Sequence, residues 1–205
     1  MSILKIISRK HWHAKNAKKI YKLPVYPVKE VHIHHSVTGW KEEAKQWKNI
    51  QLYHMVTKGW TDIAYNFGVG QSGTVYEGRG WDRQGGAAGY KHDRKSLSIC
   101  AIGNFETEIP TGAMVKAIGD WIVEGIERGA IHKNVKILAH RDVAATRCCG
   151  EYLYGTLDSI RKAVKQPKAL PKDDTLLSEL NKAKTAIDKV IDKLTKAYHG
   201  IRSSV

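Results

Sequence analysis

Long apolar runs are missing from this sequence of 205 residues. No stretch approaches the roughly 20 apolar residues that a membrane-spanning helix needs. The opening segment Met-Ser-Ile-Leu-Lys-Ile-Ile-Ser-Arg-Lys is too short in apolar residues for a secretory signal. The expectation is therefore a chain that folds in a cytoplasm. Cysteine is scarce, with three residues, and the odd number argues against a disulfide framework and for a reducing compartment. Proline is scarce too, and two of the five, Pro167 and Pro171, fall close together near the C-terminal end. There is no internal repeat, no low-complexity tract, no zinc-finger spacing and no RNA-binding aromatic signature. The His-Glu-x-x-His motif of one large metalloprotease class is also absent. Acidic residues are outnumbered, 20 against 34 basic ones, which leaves a net charge of +14. So large an excess suits an anionic partner, and with no nucleic-acid module the partner expected is an acidic cell-wall polymer.

What is there begins with an apolar, β-branched run that alternates in the β manner, Val31-His32-Ile33-His34-His35-Ser36-Val37-Thr38. A second segment follows 106 residues after His34, from Ala139-His140-Arg141-Asp142 to Arg147-Cys148-Cys149-Gly150. Two imidazoles and a thiolate suit a borderline-soft ion such as Zn²⁺, and three protein ligands leave a position open for chemistry. Spacing alone leaves other sets open. On a strand His32 and His34 share a face, so His32, His34 and His140 make an all-imidazole alternative. Solvated or hydrogen-bonded histidines are the plainer reading.

Elsewhere the pattern predicts a helix over 41–58 with Ala44, Trp47, Ile50, Gln51 and His54 on one face. It predicts strands over 63–69, 73–77, 96–103 and 135–139. A helix over 111–129 carries Val115, Ile118, Trp121, Ile122 and Ile126, and a last one covers about 153–164. Residues 1–30 read as irregular. Strands alternating with helices imply an α/β domain, a mixed central β-sheet flanked by helices, over residues 1–164. Residues 165–172 read as a linker. Residues 173–205 read as a helical tail whose Leu176, Leu180, Ala183, Ile187, Val190, Leu194, Ala197 and Ile201 follow a heptad seam. That seam suits self-association, a partner helix or packing back on the domain.

Several motifs occur in a fixed order: Ile7 to Trp12, His34-His35-Ser36, Gln51 to His54, Gly59 to Phe67, Val75 to Trp81, Ile102 to Phe105, and His140-Arg141-Asp142. Over residues 6–160 this resembles the type 2 N-acetylmuramoyl-L-alanine amidase and peptidoglycan recognition protein family, which includes phage endolysins. The resemblance implies a zinc hydrolase that cuts the amide between N-acetylmuramic acid and L-alanine in bacterial peptidoglycan. It implies one Zn²⁺ per chain on His34, His140 and Cys148, with His35 a neighbour and His32 an extra. It implies Tyr65 and Thr146 as catalytic, Tyr65 as the donor to the developing oxyanion. Asn66, His35, Trp60, Arg79 and the loop 85–90 are the positions expected to bind substrate. Glu77 and Asp142 read as structural, with Asp142 able to orient a ligand histidine. The chain departs from the family's pattern at Cys149 (usually Pro), Ala64 (usually Gly) and Ala88 (often His). Without a signal, the setting expected is a phage lysin made in the host cytoplasm. The alternatives are a cytoplasmic wall-recycling amidase and a non-catalytic sensor; in such sensors the ligand cysteine is commonly replaced, and here Cys148 is present.

Overall fold

The computed structural model describes residues 4–166 and 173–202, with side chains of the last helix described over 178–194. In chain order the elements are β1 (Ile6–Ile7), β2 (Val28–His35), α1 (Glu43–Leu52), β3 (Phe67–Val69) and β4 (Val75–Glu77). Then follow α2 (Tyr90–Asp93), β5 (Ser96–Ala101), α3 (Gly112–Glu127) and β6 (Ile131–Ala139). The helices α4 (Glu151–Tyr154), α5 (Leu157–Lys165) and α6 (Asp173–Arg202) complete the chain. The strands form one mixed sheet in the order β1-β4-β3-β5-β2-β6. The β3–β4 pair is antiparallel and the other four pairs are parallel.

β2 and β5 lie inside the sheet, and β5 is buried at all six positions. A strand covered on both faces is apolar or satisfied on both. On one face Val31, Ile33, Leu97, Ile99 and Ala101 meet Met114, Ile118, Trp121 and Ile122 of α3, and Leu157 and Ile160 of α5. On the other, Cys100 meets Trp47 and Ile50 of α1. Glu30, His32 and His34 of β2 pair in register with Ser96, Ser98 and Cys100 of β5. This second face therefore carries the polar chemistry, because side chains alternate along each strand.

The predicted helix over 41–58 forms as α1 and continues as a π-helical turn over Tyr53–Thr57. Trp47, Ile50, Gln51 and His54 are buried as expected, whereas Ala44 is exposed. Trp47 reaches the sheet because β3 has no side chain at Gly68; a Cβ there would lie 2.5 Å from the Trp47 ring. α3 starts at Thr111, whose hydroxyl accepts the Met114 N–H at 3.1 Å.

Four boundaries differ from expectation. Ile6–Ile7 forms an edge strand because its backbone pairs with Val75 and Tyr76. The segment before Phe67 is largely buried yet irregular; its N–H groups go to the Asp62 and His54 side chains and the Ser98 carbonyl, and its carbonyls accept from Gly78, Arg79 and Gly86, instead of forming a ladder. β6 begins at Ile131, four residues early. The helix expected over 153–164 splits at Gly155 and Thr156 into α4 and α5. The chain divides into two compact units, Ser2–Pro167 and Lys168–Val205. Of the expected linker, residues 167–172 lie outside the described residues, while Lys165 still belongs to α5. In α6, Leu180, Ile187, Val190 and Leu194 are each more than half exposed. The side chains of Leu176, Ala197 and Ile201 lie outside the described residues.

Candidate active site

His34 is the penultimate residue of β2, and His140 opens a 3-10 turn immediately after β6, the strand beside it. Parallel neighbours end at the same edge of the sheet, which is why residues 106 apart in sequence meet there. Their rings lie 4.6 Å apart between centroids. Asp142 closes the turn by accepting the Ala139 N–H at 2.8 Å and the Tyr154 hydroxyl at 3.0 Å. Its role is thus to shape the backbone that presents His140. Glu77 is likewise structural, accepting the Arg9 N–H at 3.0 Å.

The loop after that turn brings Cys148 back. Its Sγ lies 3.7 Å from His34 Nδ1 and accepts the His35 N–H at 3.4 Å. Ligand atoms of His34, His140 and Cys148 all lie within 4.8 Å of one another. Zinc bonds of about 2.0–2.1 Å to nitrogen and 2.3 Å to sulfur put tetrahedral N and S ligands roughly 3.6 Å apart. The donor set and its spacing fit a zinc ion. The electrostatics fit too. Burial, helped by His140 and His32, holds the His34 pKa well below the usual range, so the ring is a neutral ligand. Burial pushes the Cys148 thiol up to about 11. A coordinating cation is what makes such a thiol a thiolate.

Cys149 does not compete. It is fully buried in the main core with Phe105 and Leu153. Gly150, at φ 88°, then lets the chain run against the Phe105 backbone, where a Cβ would sit 2.3 Å from the carbonyl carbon. Cys100, Cys148 and Cys149 are all free thiols, with no disulfide among them. His32 is not the third imidazole at this centre; it lies with Glu30 and His92.

His34, His140 and Cys148 border a groove of about 440 Å³ also lined by His35, Tyr65, Thr146, Val37, Ala87 and Glu106. The Tyr65 ring lies 5.4 Å from His34 and is backed by Trp47 at 6.1 Å, near-parallel at 27°. Burial, with the Cys100 and Cys148 thiols alongside, raises its pKa well above 10, so the phenol keeps its proton and donates. Thr146 Oγ1 accepts the Cys148 N–H at 3.2 Å, which leaves its own proton for the groove. His35 is pinned by the Phe105 N–H at 3.2 Å on Nδ1.

The other positions expected to bind substrate, Asn66, Arg79 and Trp60, are not among the residues that line this groove. Asn66 is completely buried. Its amide donates to the Gly80 and Arg83 carbonyls and accepts from Ser98, so it is a brace with nothing left for a ligand. The Arg79 guanidinium is bound by the Ile63, Gln84 and Gly85 carbonyls and faces a separate depression beside Tyr21 and Tyr90. Trp60 is exposed and packs against the His54 ring, tilted by 31° at 4.8 Å between centroids, outside the groove's lining. In their place the groove has Glu106 and Arg147, joined at 2.7 Å. Glu106 directly follows the Ile102–Phe105 motif, and that adjacency is the one signal in the sequence that points to it.

Comparison with known proteins agrees with this geometry. The family model for N-acetylmuramoyl-L-alanine amidase matches residues 24–151. Mouse peptidoglycan recognition protein 1 is 34% identical over 158 residues, covering 75% of this chain and 86% of that protein. The solved structure of wild-type Drosophila PGRP-LB superposes with a TM-score of 0.71 at 33% identity, over 76% of this chain and 93% of that one. Peptidoglycan recognition protein-LE, solved in complex with tracheal cytotoxin, a monomeric diaminopimelic acid-type peptidoglycan, gives 0.71 at 34% identity over 75% and 92%. With the family model matched over residues 24–151 and relatives more than 30% identical over most of their length, the chain belongs to the N-acetylmuramoyl-L-alanine amidase family that includes the peptidoglycan recognition proteins.

Proposed function

We propose that this protein binds peptidoglycan in the groove at His34 and hydrolyses the amide between the N-acetylmuramoyl lactyl group and L-alanine. The observation that carries the reading is Cys148. A protein that only bound the polymer would need no thiol 3.7 Å from a neutral, buried imidazole beside an open groove. The relative solved with a peptidoglycan fragment supports the substrate class.

His34, His140 and Cys148 would hold Zn²⁺, which when bound supplies an activated water at neutral pH and polarises the scissile carbonyl. The chain's own residues do the rest. Tyr65 donates from a phenol that burial keeps protonated, and the charge growing on the carbonyl oxygen is what it meets. Thr146 orients water or carbonyl through its free hydroxyl proton. Glu106 is the one carboxylate among the groove's described lining residues; its Oε2 is bound by Arg147, while its buried Oε1 has no hydrogen-bond partner and lies 3.7 Å from the Arg141 guanidinium.

The test joins metal analysis to product analysis. The purified protein should carry zinc at the Cys148 centre, and a chelator should remove activity that Zn²⁺ restores. Digested walls should gain N-terminal alanine without new reducing sugar ends. Cys148→Ser should empty that centre, and Cys149→Ser should not. New reducing ends alone, or wall binding with no cleavage by the zinc-loaded protein, would overturn the amidase reading.

A further inference from the structure

We propose a second divalent-cation site, built of two imidazoles and one carboxylate, at Glu30, His32 and His92. It is independent of the amidase reading and uses none of the groove's ligands.

Glu30 and His32 are two apart on β2 and so project from the same face. His92 reaches that face from α2. Glu30 Oε2 lies 3.4 Å from His32 Nε2 and 3.5 Å from His92 Nδ1. All three atoms are buried, and none has a hydrogen-bond partner among the described residues. Buried polar atoms are nearly always paired, so three converging on one point need an explanation. Nitrogen and oxygen ligands at about 2.0–2.1 Å from a tetrahedral zinc stand roughly 3.3–3.4 Å apart, close to the spacing seen. The second observation is the orientation of the carboxylate. Lys95 binds Glu30 Oε1, and Oε2 faces the two rings with no hydrogen-bond partner among the described residues. The side chains of Glu30 and His92 are 15% and 22% exposed, which gives an ion a way in.

Successive same-face residues on a strand are about 6.6 Å apart, beyond the roughly 3.5–4 Å of a shared two-metal centre. An ion on His32 would therefore stand apart from one on His34. Its work is positional. Asp93, next to His92, accepts the Ala87 and Ala88 N–H groups at 3.0 and 2.9 Å, and Ala87 lines the groove. An ion joining β2 to α2 would fasten that wall of the groove to the sheet.

The test uses the full chain, freed of metal and reloaded at micromolar free Zn²⁺ or Co²⁺. Wild type should bind two ions, and His92→Ala and Glu30→Gln one each. Cys148→Ser should lose the other ion and keep this one, so failure of either site is told apart from failure of the other. With Co²⁺, the thiolate charge-transfer band should belong to the Cys148 ion only. His92→Cys should keep two ions and add that band to the second, which separates lost ligation from a lost fold. A single ion in the wild type that Cys148→Ser loses, or two ions in both His92→Ala and Glu30→Gln, overturns the proposal.

Discussion

Tyr65 and His54 show how burial decides what a titratable side chain can do. The Tyr65 phenol is held in its protonated form, so its use is as a donor to charge that develops during reaction. Tyr65→Phe should keep the metal centre and lower kcat by about 100- to 1000-fold, the usual cost of one oxyanion donor. Metal content and turnover measured on the same preparation check this, and wild-type turnover would remove Tyr65 from the chemistry. His54 is buried against Trp60 and Tyr65, and its Nδ1 accepts the Ala64 N–H at 3.1 Å. Burial, with Arg79 nearby, lowers its pKa to about 4. The folded state then binds fewer protons than the unfolded one between the unfolded value of about 6.5 and 4, so stability falls as pH falls through that window. Between pH 7 and pH 5 this one ring should cost the fold on the order of 1–2 kcal/mol once solvent screening is allowed for. Urea unfolding at the two pH values should show a smaller loss in His54→Gln, and equal losses would assign the effect to other groups.

Among the elements, β3 and α6 make the sharpest contrast. β3 is three residues long, yet its Gly68 admits Trp47, and Trp47 backs Tyr65. Gly68→Ala forces a methyl into a ring that is fully buried. It should cost about 1–3 kcal/mol by overpacking, seen in urea unfolding, and should lower turnover through Tyr65. Unchanged stability would mean that Trp47 has room to move. α6 is long, and Leu180, Ile187, Val190 and Leu194 are exposed along its seam. An isolated helix is marginal in water, so this one is expected to gain stability by self-association. Deleting residues 168–205 should leave zinc content and hydrolysis of soluble muropeptides intact and should lower the sedimenting mass. The same mass with a lower Tm would instead make the tail part of the domain's own packing.

At the scale of the whole molecule, charge matters most. The chain is +14 overall, and residues 168–205 hold eight basic and five acidic side chains, so +11 lies ahead of them. A surface of that sign is drawn to anionic wall polymers, and salt screens the attraction because the Debye length shortens from about 10 Å at 0.1 M to 3 Å at 1 M. Binding to whole walls should therefore weaken strongly over that range, while cleavage of small soluble fragments should change little. Pull-down at graded salt checks it; salt-independent wall binding would assign recognition to the groove alone.

The sequence by itself determined the class of fold, the period of each long element, and which residue types are chemically able to hold a metal. Those follow from local rules: alternation places His32 and His34 on one face, and the ordered motifs carry the family. Spacing left the ligand set open and the family resemblance named one; the tertiary structure decided which of the able residues stand together. Alternation says nothing of what arrives from elsewhere in the chain, so only the fold sends His140 and Cys148 to His34, and Glu30 and His92 to His32. Adjacent Cys148 and Cys149 look equivalent in sequence, but one faces the groove and the other the core. Asn66 and Arg79 read in sequence as part of a peptide-binding wall, Asn66 on the strength of the family resemblance. The surrounding carbonyls claim their donors first, since buried polar groups must be satisfied wherever the chain places them.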